Sequence, residues 1–131
     1  MLDHVEFYVH ELSASETFFT AALAPLGYTI LARLPPGTGG PGEVLGYGTA
    51  GRPHFWITPV NPQHPASGPF HLAFTADSKE AVNGFYQAAL AAGGKDNGPP
   101  GPRPYYSPNY YGAFVFDPDG NNMEAVHFTT G

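Results

Sequence analysis

An internal repeat constrains the fold of this chain more than any other feature of its sequence. Residues 4–7 (HVEF) and residues 71–74 (HLAF) are 67 positions apart. The same separation aligns residues 18–24 (FFTAALA) with residues 85–91 (FYQAALA). One separation that holds across a strand-like string and a helix-like string indicates two copies of one supersecondary unit.

The first copy begins with a strand. Apolar and polar side chains alternate over residues 2–9, which places His4, Glu6 and Tyr8 on the face opposite the apolar one. Residues 70–76 begin the second copy in the same way, with His71 on the polar face. Further strands are predicted at residues 28–34, 43–48, 54–59, 110–116 and 122–128.

One helix is predicted in each copy. Ser13 and Glu16 fit a capping box, in which the two side chains satisfy early helix N–H groups. Asp77 and Glu80 are the matching cap candidates in the second copy. The predicted helices cover residues 17–24 and 78–92, and a loop rich in Pro, Gly and Tyr is predicted at residues 97–108.

The repeat therefore predicts an α+β fold made of two βαβββ modules. We expect a single domain, with modules at about residues 1–60 and 69–131 and a Pro-rich linker at about 61–68. If the modules pair about a pseudo-twofold axis, their mixed sheets form a curved, half-open bowl with the helices outside. The separation of 67 also aligns residues 44–48 with 111–115, and a separation of 68 at the last strand sets Trp56 opposite Glu124.

Composition limits the partners of the chain. Its 131 residues carry a formal net charge of −6, with 5 basic and 11 acidic side chains, which argues against nucleic acid and anionic membranes. There is no cysteine and no apolar run long enough to cross a membrane. We expect a cytoplasmic protein that acts on a small molecule.

Glu124 lies in the middle of the last predicted strand, after the turn at residues 117–121. A buried carboxylate needs a partner, because an isolated buried charge is costly. His4 and His71 are the candidates, since both lie on strand faces that the bowl would leave open. Two imidazoles and a carboxylate on strands suit a divalent metal such as Fe, Mn, Zn or Ni.

The two modules, His4, His71 and the DPDGNN-x-E segment ending at Glu124 together resemble the vicinal oxygen chelate superfamily. That superfamily includes glyoxalases, extradiol dioxygenases, and fosfomycin and bleomycin resistance proteins. The resemblance implies a metal site at His4, His71 and Glu124, a homodimer, and a glyoxalase-like lyase or dioxygenase-like reaction on a substrate bound through neighbouring oxygens. The alternative is metal-free sequestration, as in bleomycin resistance proteins.

The chain departs from the glyoxalase I pattern at Trp56. The glyoxalase I pattern has a carboxylate ligand on that strand, so the resemblance does not imply a reaction that uses it as the base here. The predicted substrate contacts are aromatic or cationic side chains of the open face and its rim: Tyr8, Trp56, Arg103, Tyr106 and Tyr110.

Overall fold

A computed structural model describes residues 1–38 and 40–129 of the chain. Two βαβββ modules follow one another along it, and a short 3-10 helix (Ala24–Leu26) extends the first helix. The elements are β1 (Val5–Val9), α1 (Leu12–Leu23), β2 (Thr29–Leu34), β3 (Val44–Thr49), β4 (Arg52–Pro59), β5 (His71–Thr75), α2 (Lys79–Ala91), β6 (Lys95–Pro102), β7 (Tyr110–Phe116) and β8 (Asn122–Phe128).

Each module forms its own open, four-stranded mixed sheet. The strand orders are β1-β4-β3-β2 and β5-β8-β7-β6, with the first and last strand of each module paired in parallel. The predicted fold class, two βαβββ modules with open mixed sheets, is confirmed. None of the described helices is long and apolar enough to cross a membrane.

Strand register tests the repeat residue by residue. Glu6 pairs with Trp56 and Ala73 pairs with Glu124, so the separation is 67 in the first strand and 68 in the last, as predicted. The prediction for the third strand was wrong. Gly46 pairs with Trp56, and Phe114 pairs with Glu124. Gly46 and Phe114 are therefore equivalent positions, and their separation is 68 instead of 67. The extra residue of the second module therefore precedes β7.

The two modules share one core. Helices α1 and α2 contact each other, and aromatic side chains of the two modules meet at the apolar faces of the sheets. Ring centroids are 4.9 Å apart for Phe7 and Phe70, and 5.6 Å apart for Phe55 and Phe74. His4 and Trp56 line one cavity of the chain, whereas His71 and Glu124 line another.

The helix caps differ from the predicted ones. Helix α1 begins at Leu12, so Ser13 lies in its first turn, and Glu16 pairs with Arg33 at 2.7 Å instead of closing a capping box. In α2 the N-cap is Ser78, whose Oγ accepts the backbone N–H of Ala81 at 3.1 Å. Asp77 and Glu80, the predicted caps, lie on either side of Ser78 and do not cap the helix.

Strand β6 lies partly in the segment predicted to be a loop. It is the outer strand of its sheet, and its pairing with β7 is interrupted on both sides of Gly98. Proline is tolerated at such an edge because a missing N–H costs no ladder bond on the outward side. Edge position and irregular pairing thus explain a strand that its composition conceals.

The turn before Glu124 forms as predicted. Asp117 Oδ1 accepts the backbone N–H groups of Asp119 and Asn121, and Gly120 has a positive φ of 86°. Burial raises the pKa of the Asp117 carboxyl. The turn fixes where β8 starts, and β8 carries the buried carboxylate of the candidate site.

Candidate functional site

The centre of the candidate site is a contact between His71 and Glu124 on neighbouring strands of the second sheet. His71 Nε2 lies 3.0 Å from Glu124 Oε1. The Glu124 side chain is only 2% exposed, whereas that of His71 is 47% exposed. The parallel pairing of β5 with β8 brings the two together, because His71 pairs with Asn122, two residues before Glu124 on the same strand face. His71 is therefore a contact partner of Glu124, and metal binding by the two stays a prediction.

The tautomer of His71 follows from its second contact. Its Nδ1 lies 3.0 Å from the backbone carbonyl oxygen of Asn122. A carbonyl oxygen can only accept, so Nδ1 carries a proton and donates it. Nε2 then faces Glu124 Oε1 either with a second proton, as an ion pair, or with a lone pair. In the second case two electron-rich atoms face each other, and a cation bound to both relieves the repulsion.

The spacing of this pair fits two neighbouring metal ligands as well as it fits an ion pair. Ligand nitrogen and oxygen atoms lie roughly 2.0–2.2 Å from a transition metal, and adjacent ligands at about a right angle are then about 3 Å apart. The observed separation of 3.0 Å between Nε2 and Oε1 has that value. A histidine that binds a metal through one ring nitrogen usually donates the other N–H to a carbonyl or carboxylate, as His71 does.

Tyr110 occupies the other oxygen of Glu124. Its hydroxyl donates a hydrogen bond to Glu124 Oε2. Burial first and the neighbouring Glu124 carboxylate second raise the pKa of the Tyr110 phenol. Gly112 leaves room for this arrangement, because a Cβ there would lie 3.1 Å from Oε2 and 3.0 Å from the Tyr110 ring.

The pair borders a cavity of about 470 Å³ lined by His71, Tyr106, Tyr110, Phe114, Asn122 and Glu124. Asn122 also lines an adjoining cavity of about 570 Å³ beside Tyr106. The buried Oδ1 of Asn122 has no hydrogen-bond partner within residues 1–38 and 40–129. Tyr106 and Tyr110, two of the predicted substrate contacts, line the same cavity as His71 and Glu124.

Arg103 lies in the adjoining cavity with its guanidinium engaged. Nη1 donates to the carbonyl oxygen of Gly101 at 3.0 Å, and Nη2 donates to that of Pro99 at 2.7 Å. The group also lies 5.4 Å from the centroid of the Phe114 ring. These contacts brace the irregular β6 strand, so Arg103 offers little free capacity for a substrate anion.

His4 lies directly before β1 of the first sheet and lines a different cavity from His71 and Glu124. Its Nδ1 contacts Asp3 Oδ1 at 2.8 Å, and Asp3 also pairs with Arg52. The hydrogen bond to His4, followed by that to Arg52, lowers the pKa of Asp3. Across the described ranges, no three His, Asp or Glu side chains come together as a metal-binding group. The predicted three-ligand site is thus divided within one chain.

The cavity beside His4 has a volume of about 490 Å³ and includes Glu6 and Trp56. The Trp56 ring lies over Gly46, where a Cβ would come within 2.7 Å of it. Glu6 accepts a hydrogen bond from the Thr58 hydroxyl at 2.7 Å. Tyr8, near the end of β1, stacks on His64, with ring centroids 4.7 Å apart.

Three neighbours of the site were not predicted in these roles. They are Asp3, which orients His4; Asn122, whose carbonyl orients His71; and Tyr110, which binds Glu124. Adjacency in sequence indicates only the first of these contacts. The carbonyl of Asn122 could not have been found from residue type, since every residue has one.

Comparison with known proteins agrees with this architecture. The family model described as the glyoxalase/bleomycin resistance protein/dioxygenase superfamily matches residues 1–125. The chain belongs to this superfamily. A similar solved structure is that of a glyoxalase/bleomycin resistance protein from Albidiferax ferrireducens, which is 31% identical in sequence to this chain. The match covers 97% of this chain and 98% of that protein, with a TM-score of 0.77.

More distant structures share the fold. A glyoxalase-family protein from Bacillus halodurans is 25% identical over 97% of this chain and 95% of its own, with a TM-score of 0.66. A variant of the fosfomycin resistance protein FosX from Listeria monocytogenes was solved with Mn(II) and 1S,2S-dihydroxypropylphosphonic acid. It is 17% identical over 95% of this chain and 87% of its own, with a TM-score of 0.63. No curated protein sequence matches the chain.

Proposed function

We propose that the protein is a metal-dependent enzyme of the vicinal oxygen chelate type, a glyoxalase-like lyase or a dioxygenase-like protein. His71 and Glu124 supply two metal ligands, and His4 of a second copy supplies the third. The observation that carries the proposal is the His71–Glu124 contact, in which Nδ1 donates to a carbonyl while Nε2 faces Oε1 at 3.0 Å.

A homodimer acting in the cytoplasm is part of the same proposal. Nδ1 of His4 is held by the Asp3 carboxylate, which leaves Nε2 for a ligand just as in His71. Both sheets keep an open face, and β1 and β5, which carry or adjoin the two histidines, are edge strands. Joining the first sheet of one copy to the second sheet of another would place His4 opposite the pair.

When bound, the divalent metal (Fe, Mn, Zn or Ni) supplies a Lewis acid that polarises a substrate oxygen or activates a bound water. The chain itself contributes orientation and exclusion of water. His71 and Tyr110 hold the Glu124 carboxylate in position. Trp56 and Phe114 would contact an apolar or aromatic substrate from the two sheets. Tyr106 lines the cavity beside the pair, and Tyr8 stacks on His64 in the first module.

The charges around the cavities favour a neutral substrate with neighbouring oxygens. Arg103 is the cation nearest the pair in its cavities, and it already donates to carbonyl oxygens of β6. Arg52 pairs with Asp3 beside His4. A phosphonate would find few free cationic donors here, because the Arg103 guanidinium is held by backbone carbonyls and Arg52 by Asp3.

A second candidate function is metal-free binding of a planar compound. It is favoured by the cavity of about 490 Å³ in which the Trp56 ring lies over Gly46. Such a ring provides a flat stacking surface. Ligand binding that quenches Trp56 fluorescence equally with and without a chelator would favour this function.

Metal analysis tests the main proposal. We expect untagged protein loaded with Fe(II), Mn(II), Ni(II) or Zn(II) to retain about one ion per chain, and His71→Ala and Glu124→Gln to lose at least about tenfold in affinity because one of three ligands is gone. His10→Ala is the matched control, since its exposed ring faces the Asp119 turn instead of the pair. Equal metal content in all four proteins would refute the assignment.

A further inference from the structure

From the geometry around Glu124, we propose that Tyr110 is a positioning residue that restricts this carboxylate to one-oxygen metal binding. This inference rests on the proposed function. It assigns Tyr110 a role distinct from substrate contact, because its hydroxyl is directed at the ligand carboxylate.

The two oxygens of Glu124 have different partners. Oε1 faces His71 Nε2 at 3.0 Å, toward the open cavity. Oε2 accepts the Tyr110 hydroxyl. A carboxylate that binds a metal through both oxygens must turn them toward the ion together, and the hydrogen bond to Tyr110 opposes that rotation. One oxygen is therefore assigned to the metal and the other to the phenol.

The surroundings hold the phenol in place. Edge-to-face contacts fix the Tyr110 ring, with centroid separations of 5.0 Å to Tyr106 and 5.3 Å to Phe128. Gly112 admits the hydroxyl and Oε2 side by side, because a Cβ would contact both residues at 3.0–3.1 Å. Tyr110 thus approaches Glu124 from a packed and directed position.

This arrangement would set the number of free coordination positions. Single-oxygen binding by Glu124 leaves one more position for water or for the neighbouring oxygens of a substrate than two-oxygen binding does. Partners of a ligand tune a metal site through such orientation, and their loss typically lowers metal affinity by about 10–100-fold.

Cobalt(II) tests the proposal without any assay of activity, since its visible absorption reports coordination number. We expect Tyr110→Phe, which keeps the ring contacts, to weaken Co(II) binding by about tenfold or more and to lower the molar absorption of the visible bands. Gly112→Ala should shift the spectrum in a smaller way, because the added Cβ would lie 3.1 Å from Oε2 and leave the Tyr110 hydroxyl in place.

Tyr106→Phe is the matched control, because Tyr106 lines the same cavity and packs on Tyr110. It should keep the wild-type Co(II) affinity and spectrum. A lower melting temperature of Tyr110→Phe with unchanged Co(II) affinity and spectrum would overturn the positioning role and leave the metal site intact. Failure of the wild-type protein to bind Co(II) or any other divalent metal would overturn the proposed function together with this inference.

Discussion

Glu124 is stabilised in a setting where a carboxylate is normally costly. Its side chain is 2% exposed, in the middle of a strand whose neighbours belong to the core. Each oxygen has a polar neighbour, because His71 Nε2 lies 3.0 Å from Oε1 and the Tyr110 hydroxyl donates a hydrogen bond to Oε2. Removing one partner of such a group leaves the rest unsatisfied. These contacts explain how the fold tolerates a carboxylate at position 124.

Tyr47 provides a test of burial at the same scale, away from the candidate site. Burial raises its pKa from the ordinary value of 10.0 to about 12. The fold thus favours the neutral phenol, which stabilises the protein below pH 10, and this contribution is lost as pH rises toward about 12. We expect the free energy of unfolding to fall over that interval, as measured by denaturant titration.

Tyr47→Phe should show a shallower fall over the same pH range, since a phenylalanine cannot ionise. The Thr20 hydroxyl, 3.0 Å from the Tyr47 hydroxyl, loses its partner in this variant, so its stability at neutral pH should be somewhat lower. Identical pH profiles for the two proteins would show that Tyr47 does not carry the effect.

At the scale of elements, the sequence pattern predicted strands well where turn chemistry bounds them and poorly where a strand depends on its partner. The hairpin of β7 and β8 was predicted with the bounds it has, because aromatic alternation and the Asp117–Gly120 turn chemistry agree there. Strand β6 was missed, because three prolines and two glycines conceal an edge strand whose pairing is supplied by β7. Local composition cannot reveal a partner that lies elsewhere in the chain.

Helix capping gives a paired test of the corrected boundaries. Ser78→Ala should lower the free energy of unfolding by about 1 kcal/mol, because Ser78 accepts the N–H of Ala81. Ser13→Ala should change it by less than about 0.5 kcal/mol, since Ser13 is an exposed residue inside the first turn of α1. Chemical denaturation of both variants measures the difference, and a larger loss at Ser13 would restore the capping box.

At the scale of the whole molecule, the repeat predicted both modules and the register of their first and last strands. It could not predict how the modules pack, because identical modules can join through their helices or through their sheet edges. Here helices and apolar faces form one core, anchored by contacts such as Phe7 with Phe70. That choice separates His4 from the pair formed by His71 and Glu124, and it is the reason a second copy enters the proposal.

The most direct test of the account is metal binding by a mixed dimer. One chain carries His4→Ala and the other carries Glu124→Gln. Each chain has a different affinity tag, neither of them a histidine tag, so that the heterodimer can be purified. If the site is shared, one of its two sites has all three ligands and the other has two defects. The account predicts about one metal per heterodimer and almost none in either mutant homodimer. Metal-free heterodimer, alongside wild-type protein that retains one metal per chain, would contradict it.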